Sequence, residues 1–267
     1  MLFSLSVSEQ KLRTRIVSFK VYRAFGMRKQ VIMDFFIPTL TLVVLTFFFW
    51  LTNFDIVFEE YFYSSDNGWF LKKANPWEFL YDYGNRPGLT LGVLSLLALV
   101  AGFFPNRILR YRKIAIFLVL VLVIGPGIIT HSVFKENWGR PRPRQIVNFG
   151  GTKDFLPVWV KGTPGNGKSF PSGHAAIGYY VLTPFFILRR VNRKWAVITL
   201  LVGVGYGSLM GIGRMIQGAH FASDVLWSAG FTYLTGLSLY YAMRLNKGIW
   251  WESGGSEKKP DPSQVVC

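Results

Sequence analysis

Gly213-Arg214-Met215-Ile216-Gln217-Gly218-Ala219-His220-Phe221-Ala222-Ser223-Asp224 is the stretch whose reading decides the fold. It joins two apolar runs, residues 195–212 and 221–243, each near the roughly 20 residues a helix needs to cross a hydrocarbon core. A cation, an imidazole and a carboxylate therefore lie at the mouth of two helices. Charged side chains at membrane depth cost roughly 3 kcal/mol each on insertion scales and mark a functional site by default. On a shared helix, His220 and Asp224 fall on one face, where the carboxylate accepts from one ring nitrogen and fixes the tautomer. The other nitrogen is then free to attack.

The same pattern extends outward along the chain. Of 267 residues, 51% are hydrophobic, and they gather into runs instead of spreading as they do in a soluble domain. Runs at 31–52, 88–104, 114–134 and 171–188 join the two above, which predicts an all-α polytopic membrane protein of about six transmembrane helices over residues 31–243. The first run is too long for a signal-peptide core and no small-residue cleavage site follows it, so it stays as an anchor. Residues 53–87 are rich in aromatics (Tyr61, Phe62, Tyr63, Trp69, Phe70, Trp77, Phe79 and Tyr81), as interfacial segments are. Pro171 suits a first helical turn, and Gly203, Gly205, Gly207 and Gly211 permit close helix approach.

Residues 1–30 carry seven lysines and arginines, with Leu12, Ile16, Phe19 and Tyr22 at near-helical spacing. They read as a basic amphipathic segment on the cytoplasmic membrane surface. Residues 244–267, with Ser, Gly, Lys and Pro, read as a disordered cytoplasmic tail. The single cysteine, Cys267, excludes an internal disulfide and any cysteine-based metal site. The net charge of +16 comes in short blocks between apolar runs, so the partner is the anionic membrane and not nucleic acid. Nineteen lysines and arginines fall on the side of the termini and eleven opposite, which puts both termini in the cytoplasm.

Three segments on the opposite side supply complementary chemistry. They are Lys135 to Pro143, with Arg140 and Arg142; Ser169 to His174, opening the fourth span; and Arg214 to Asp224. Lys135, Arg142 and Arg214 are fixed cations, and arginine forks bind two phosphate oxygens at once. Ser172 and Gly173 lie at a helix N-terminus, whose free donors favour an anion. His220 and His174 match the two proton tasks of phosphate-ester hydrolysis, nucleophile and general acid/base. Alone, each piece is ordinary: a basic loop contacts headgroups, Pro-Ser-Gly is a cap, a single histidine is structural. Here they fall on three successive helix ends and hold two of the three histidines. The third, His131, beside Thr130 and Ser132, reads as a polar packing residue.

Lys135 with Arg142-Pro143, Pro171-Ser172-Gly173-His174, and Arg214 with His220 and Asp224 resemble the three signature motifs of the type 2 phosphatidic acid phosphatase superfamily. The resemblance covers about residues 31–243. Within it, Ile124 to Gly127, Phe134-Lys135, Asn137 to Pro143, Phe149 to Gly151 and Arg214 to Phe221 resemble bacterial lipid A phosphatases of the 4′-phosphatase branch. One departure is Gly213, where the family motif usually has serine.

The resemblance implies a six-helix membrane bundle in a bacterial inner membrane, with the site facing the periplasm and a membrane lipid phosphate as substrate. His220 would form a phosphohistidine with Asp224 orienting it, and His174 would protonate the leaving alkoxide. Lys135, Arg142, Ser172, Gly173 and Arg214 would hold the phosphoryl oxygens. No metal and no cofactor is implied, since cations stand where a two-metal phosphatase has carboxylates. Charge spacing does not separate lipid A from phosphatidylglycerophosphate or undecaprenyl diphosphate, nor hydrolysis from transfer to another lipid. An anion transporter, the non-enzyme alternative, wants polar residues in mid-span. The sequence fixes no oligomeric state.

Overall fold

Along the long helices, large apolar side chains point outward and small or polar ones inward, the reverse of their arrangement in water. The structure, a computed structural model, describes residues 7–103 and 111–247, and of residues 7–27 the backbone alone. In α1 (Val7–Leu51) Ile32, Phe36, Leu40, Val44 and Phe47 are exposed while Thr46 is buried, its hydroxyl donating to the Leu42 carbonyl. Two short helices follow, α2 (Phe54–Glu60) and α3 (Trp77–Tyr83). In α4 (Arg86–Ala101) the buried positions are Gly88, Gly92 and Ser95, and Leu89, Val93, Leu94 and Leu97 face out. Such surfaces are stable against lipid tails, where small residues let helices approach.

α5 (Arg112–Leu122) runs on without a break as a π-helical stretch, Val123–Lys135. Pro126, which has no N–H to give to a helical ladder, sits in that widened stretch. Then come α6 (Gly173–Tyr180), α7 (Pro184–Leu188), α8 (Arg193–Ile216) and α9 (Ala222–Ala242). Among the described residues there is no strand, only two isolated bridges.

Among the described residues, four segments are long and apolar enough to cross a membrane: Arg28–Leu51, Trp77–Ala101, Arg112–Lys135 and Arg193–Ile216. Gly173–Leu188 is a shorter apolar segment, and α9 has 21 residues with Ser228, Thr232 and Thr235 buried along it. The all-α polytopic reading therefore holds, with differences at the edges. The aromatic segment 53–87 folds into α2 and α3 instead of staying a loop. The span expected at 171–188 is divided into α6 and α7, and Pro171 precedes the cap Ser172 instead of lying in the first turn. The fifth span extends to Ile216, which takes Arg214 into its last turn. The first helix begins at Val7, so the segment expected to lie on the surface is continuous in backbone with the first span. The amphipathic side chains expected there, residues 105–110 of the basic loop expected at 105–113, and the tail beyond 247 lie outside the described residues.

The helices that end at the site are packed together. α6 lies against α8, α9 and the π-helical stretch, and α9 also meets α1. A Cβ on Gly178 would come within 2.9 Å of the Gly207 Cα, so α6 and α8 touch backbone to backbone. Phe117, Val121, Tyr180, Phe186, Leu237 and Tyr240 fill the centre. At the site end a second cluster, Ile146, Phe149 and Phe221 with Tyr63, Trp69 and Phe155, seats the 136–172 loop on the α2–α3 segment. The α8–α9 turn passes beneath Trp69 at Gly218, whose φ of +59° favours glycine. Its carbonyl accepts from the Arg144 amide at 3.1 Å.

Candidate active site

Three helix ends meet at one end of the bundle. Lys135 is the last residue of the π-helical stretch, Gly173 the first of α6, and Arg214 lies in the last turn of α8. A Cβ on Gly173 would lie 3.4 Å from the Lys135 Nζ, so an ammonium sits beside the unpaired N–H groups of a helix start. Both favour an anion. Ser172 is fully buried, and its Oγ caps α6 by accepting from the Ala175 amide at 3.4 Å.

Arg214 is 8% exposed, donates from Nη1 to Gln217 Oε1, and lies 4.6 Å over the Tyr81 ring. Its Nε is buried without a hydrogen-bond partner among the described residues. An unsatisfied buried donor costs about 1–3 kcal/mol, and a phosphoryl oxygen is a partner it lacks. Arg142 is half-buried, with its amide donating to Gln145 Oε1 at 2.9 Å. Burial, then the neighbouring Arg144, lowers its pKa from the usual guanidinium value. His174 stacks on the other flank of the site, 5.3 Å from the Tyr81 ring at 19°. Arg214 and His174 lie against the same Tyr81 ring and Lys135 Nζ lies beside the Gly173 backbone, so these two cations and this histidine share one site, with Arg142 in the adjoining loop.

His220 lies in the turn between α8 and α9, 1% exposed. Its Nδ1 is 2.5 Å from the Ser169 carbonyl oxygen. A carbonyl only accepts, so Nδ1 carries the hydrogen and Nε2 keeps its lone pair. Burial pushes the imidazole pKa down to about 3, against the raising influence of Asp224, which leaves the ring neutral at ordinary pH. The tautomer is the expected one, but the group that sets it differs. The nearest Asp224 oxygen is 3.8 Å from Nδ1, beyond hydrogen-bond reach. α9 starts at Ala222, so His220 and Asp224 do not share a helical face.

Asp224 is fully buried and acts one step back. Its Oδ2 accepts from Ser169 Oγ at 2.6 Å and from the Phe221 amide at 2.8 Å. Its Oδ1 is 2.5 Å from Arg140 Nη1. Ser169 thus joins the two: the hydroxyl is held by Asp224 and the carbonyl holds His220.

The family model of the PAP2 superfamily matches residues 114–247. A lipid A 4′-phosphatase of Francisella tularensis subsp. novicida is 31% identical over 213 residues, 77% of this chain and 95% of that protein. The chain belongs to the PAP2 superfamily. It is a phosphoric monoester hydrolase and, by its helices, a membrane protein. A lipid A 4′-phosphatase of Rhizobium leguminosarum is 36% identical over 106 residues, 39% of this chain and 44% of that protein. Phosphatidylglycerophosphatase B of Bacillus subtilis is 31% identical over 163 residues, 59% and 71%. No solved structure matches the chain.

The site residues expected from the sequence, Lys135, Arg142, Ser172, Gly173, His174, Arg214, His220 and Asp224, all lie within the matched region. Four further residues at the site were not read from the sequence as functional: Asp55, Tyr81, Arg140 and Ser169. Two precede that region. Arg140 stands two residues from Arg142, and nothing in their spacing says which turns inward. The available signal was Asp224, a carboxylate in an apolar bundle that needs a cation. His131 is exposed and not the packing residue expected; its neighbour Thr130 is the one buried. At Gly213 a Cβ would sit 3.6 Å from the Trp77 ring, so a small side chain fits where the family usually has serine.

Proposed function

We propose that the protein hydrolyses a phosphate monoester of a membrane lipid, lipid A or its precursor, through a phosphohistidine, at the periplasmic face of a bacterial inner membrane. The observation that carries the chemistry is the Nδ1 contact of His220 with a backbone carbonyl, which leaves Nε2 unprotonated. Nε2 attacks phosphorus in line, the P–O bond to the lipid breaks, and His174, which takes up a proton from solvent when the bound phosphate dianion offsets the cations around it, gives that proton to the leaving alkoxide. Water then attacks the phosphohistidine and loses a proton to His174, releasing inorganic phosphate and restoring both rings. Lys135, Arg142, Arg214 and the Gly173 amide, with Ser172, hold the phosphoryl oxygens. Such positioning and charge neutralisation supply most of the catalysis in phosphoryl transfer.

Support for the lipid comes from the relatives named lipid A 4′-phosphatase, one of them matched along 95% of its length. The excess of basic residues around the termini supports the sidedness, with both termini cytoplasmic. The Bacillus relative supports a second reading, phosphatidylglycerophosphate as substrate. Purified protein in proteoliposomes tests both: lipid A should lose one HPO3 by mass spectrometry, in excess chelator, faster than phosphatidylglycerophosphate releases phosphate. Faster release from the second lipid replaces the first assignment. Phosphate arriving on another lipid marks a transferase, and anion uptake without hydrolysis a transporter. Reporters fused after Met243 and within 144–168 should read inside and outside; the reverse moves the reaction to the cytoplasmic leaflet.

A further inference from the structure

We propose that Asp55 is a positioning residue of the reaction, acting through Arg140 and Ser223 to hold Asp224 and the start of α9 where His220 needs them. Asp55 lies on α2, far in sequence from the three motifs and outside the residues matched by the family model. Its Oδ2 is 2.8 Å from Arg140 Nη2 and 2.5 Å from Ser223 Oγ, and its Oδ1 accepts the Ser223 amide at 2.8 Å. It therefore caps α9 from another element, satisfying an N–H in the first turn. Arg140 completes the link: Nη1 reaches Asp224 Oδ1 at 2.5 Å and Ser223 Oγ at 2.8 Å, and Nε donates to the Leu156 carbonyl at 2.8 Å.

The charges explain why a second carboxylate belongs there. An arginine paired with Asp224 alone would cancel its charge and weaken its support for an imidazole that becomes cationic when phosphorylated. With the guanidinium shared between Asp55 and Asp224, the three ionised groups carry a net −1, and that excess faces His220 through Ser169. Glu59 lies one turn along α2 from Asp55. It is buried with neither oxygen hydrogen-bonded among the described residues, and burial, then Asp55, holds its carboxyl well above the usual carboxylate range. A buried ion cluster contributes little net stability compared with apolar packing, so stability alone does not account for it. The shared fork fixes geometry as well: each Arg140 nitrogen is held by a different segment, from α2, the loop and α9.

This inference rests on the phosphohistidine reading, and the experiment separates the two. Full-length protein in nanodiscs is given a radiolabelled lipid phosphate monoester, and label that is stable to base and labile to acid is followed by rapid quench. Asp55→Asn, nearly isosteric, should lower kcat and the rate of label formation by about ten- to a hundredfold, by analogy with the partners that orient metal-bound histidines. KM should stay within twofold, because the phosphate-holding cations are untouched. In an Asp224→Asn background the same change should cost less than twofold, since its effect passes through Asp224. Should Asp55→Asn fail to fold, Ser223→Ala, which removes only the bridging hydroxyl, carries the test with a several-fold loss in kcat at unchanged KM. Label forming at the wild-type rate in the folded variant, or equal losses in both backgrounds, overturns the positioning role alone. Wild-type protein that turns over without forming such label overturns the phosphohistidine reading and this inference with it.

Discussion

Arg140 and Arg189 each face an aspartate among aromatic rings, at opposite ends of the bundle. Their partners Asp34 and Asp55 are separated by most of the first membrane helix, about 25 Å at 1.5 Å per residue. Arg189 Nη2 is 2.8 Å from Asp34 Oδ2, with rings of Phe185 and Tyr240 each 5.4 Å from the guanidinium. Asp34 also accepts from the Tyr241 hydroxyl at 2.5 Å, and Arg189 Nη1 is buried without a partner among the described residues. Arg140 is fully enclosed, 4.5 Å from the Phe221 ring, and divides its fork between two aspartates. Burial opposes its charge, but Asp224 and Asp55 outweigh that and raise its pKa. The same pairing thus serves two ends. Asp34 ties α1 to α9 through a tyrosine, while Asp224 holds a serine whose carbonyl holds His220.

The largest effect expected at the Arg140 end is in the rate and not in the fold. His220→Ala leaves no group to accept the phosphoryl, so kcat should fall by about 10^4-fold or more while lipid binding through Lys135, Arg142 and Arg214 persists. His174→Ala should also be slow on a lipid ester but recover much of its rate on a phenolic phosphate, whose leaving group needs no proton. Steady-state rates on the two substrates check this. Equal recovery of both variants means the roles are misassigned.

Removing the arginines themselves sharpens the contrast. Arg140→Ala strands two buried carboxylates and should cost about 3–5 kcal/mol of stability, with activity lost in whatever folds. Arg189→Ala strands one partly exposed carboxylate that keeps the Tyr241 hydrogen bond, and should cost about 1–2 kcal/mol with kcat near wild type. Thermal unfolding in detergent and kcat on the folded fraction decide it. A silent Arg140→Ala, or a dead but stable Arg189→Ala, breaks the comparison.

That contrast was only half legible in the sequence. The apolar runs gave the all-helical membrane bundle, though four and not six segments among the described residues are long and apolar enough to span, and the residue types that phosphate chemistry demands gave the cations and histidines. What stayed hidden depends on three-dimensional partners. Ser169 contributes through its carbonyl, which any residue has, and Arg140 through its direction, which Asp55 and Asp224 decide from distant segments. The Asp224–His220 bond read from i,i+4 spacing assumed a helix that starts two residues too late, after a turn held by Trp69 and Gly218.

A smaller effect concerns Glu59, the third carboxyl of this end. Its folded pKa is raised by burial and then by Asp55, so the folded protein keeps a proton that the unfolded chain releases above about pH 4.3. Stability from this group is full below that pH and is lost as pH rises towards the folded pKa. Glu59→Gln removes the dependence, so the variant should gain on wild type progressively as pH rises above about 4.3 towards the raised folded pKa. Melting temperatures across that range read it; a difference that shrinks with pH reverses the sign and means Glu59 is ionised in the fold. Arg189 has no such neighbour among the described acids, and its end of the bundle should show no comparable slope.

The smallest expected effect lies where the phosphate sits. A Cβ on Gly173 would meet Lys135 Nζ at 3.4 Å, a tight contact, but with the far end of a flexible side chain that can yield by a few tenths of an ångström. Gly173→Ala should therefore fold normally, since alanine suits a first helical turn better than glycine. The displaced ammonium weakens charge on the bound phosphoryl in ground and transition state alike, so KM should rise about two- to fivefold with kcat little changed. Arginine at position 135 would be worse, because a planar fork cannot stand in for a point charge in so narrow a space. Michaelis curves on a soluble phosphate ester check both, free of membrane partitioning. A large drop in kcat for Gly173→Ala at unchanged KM would place the Gly173 amide, and not Lys135, as the group that tightens on the transition state.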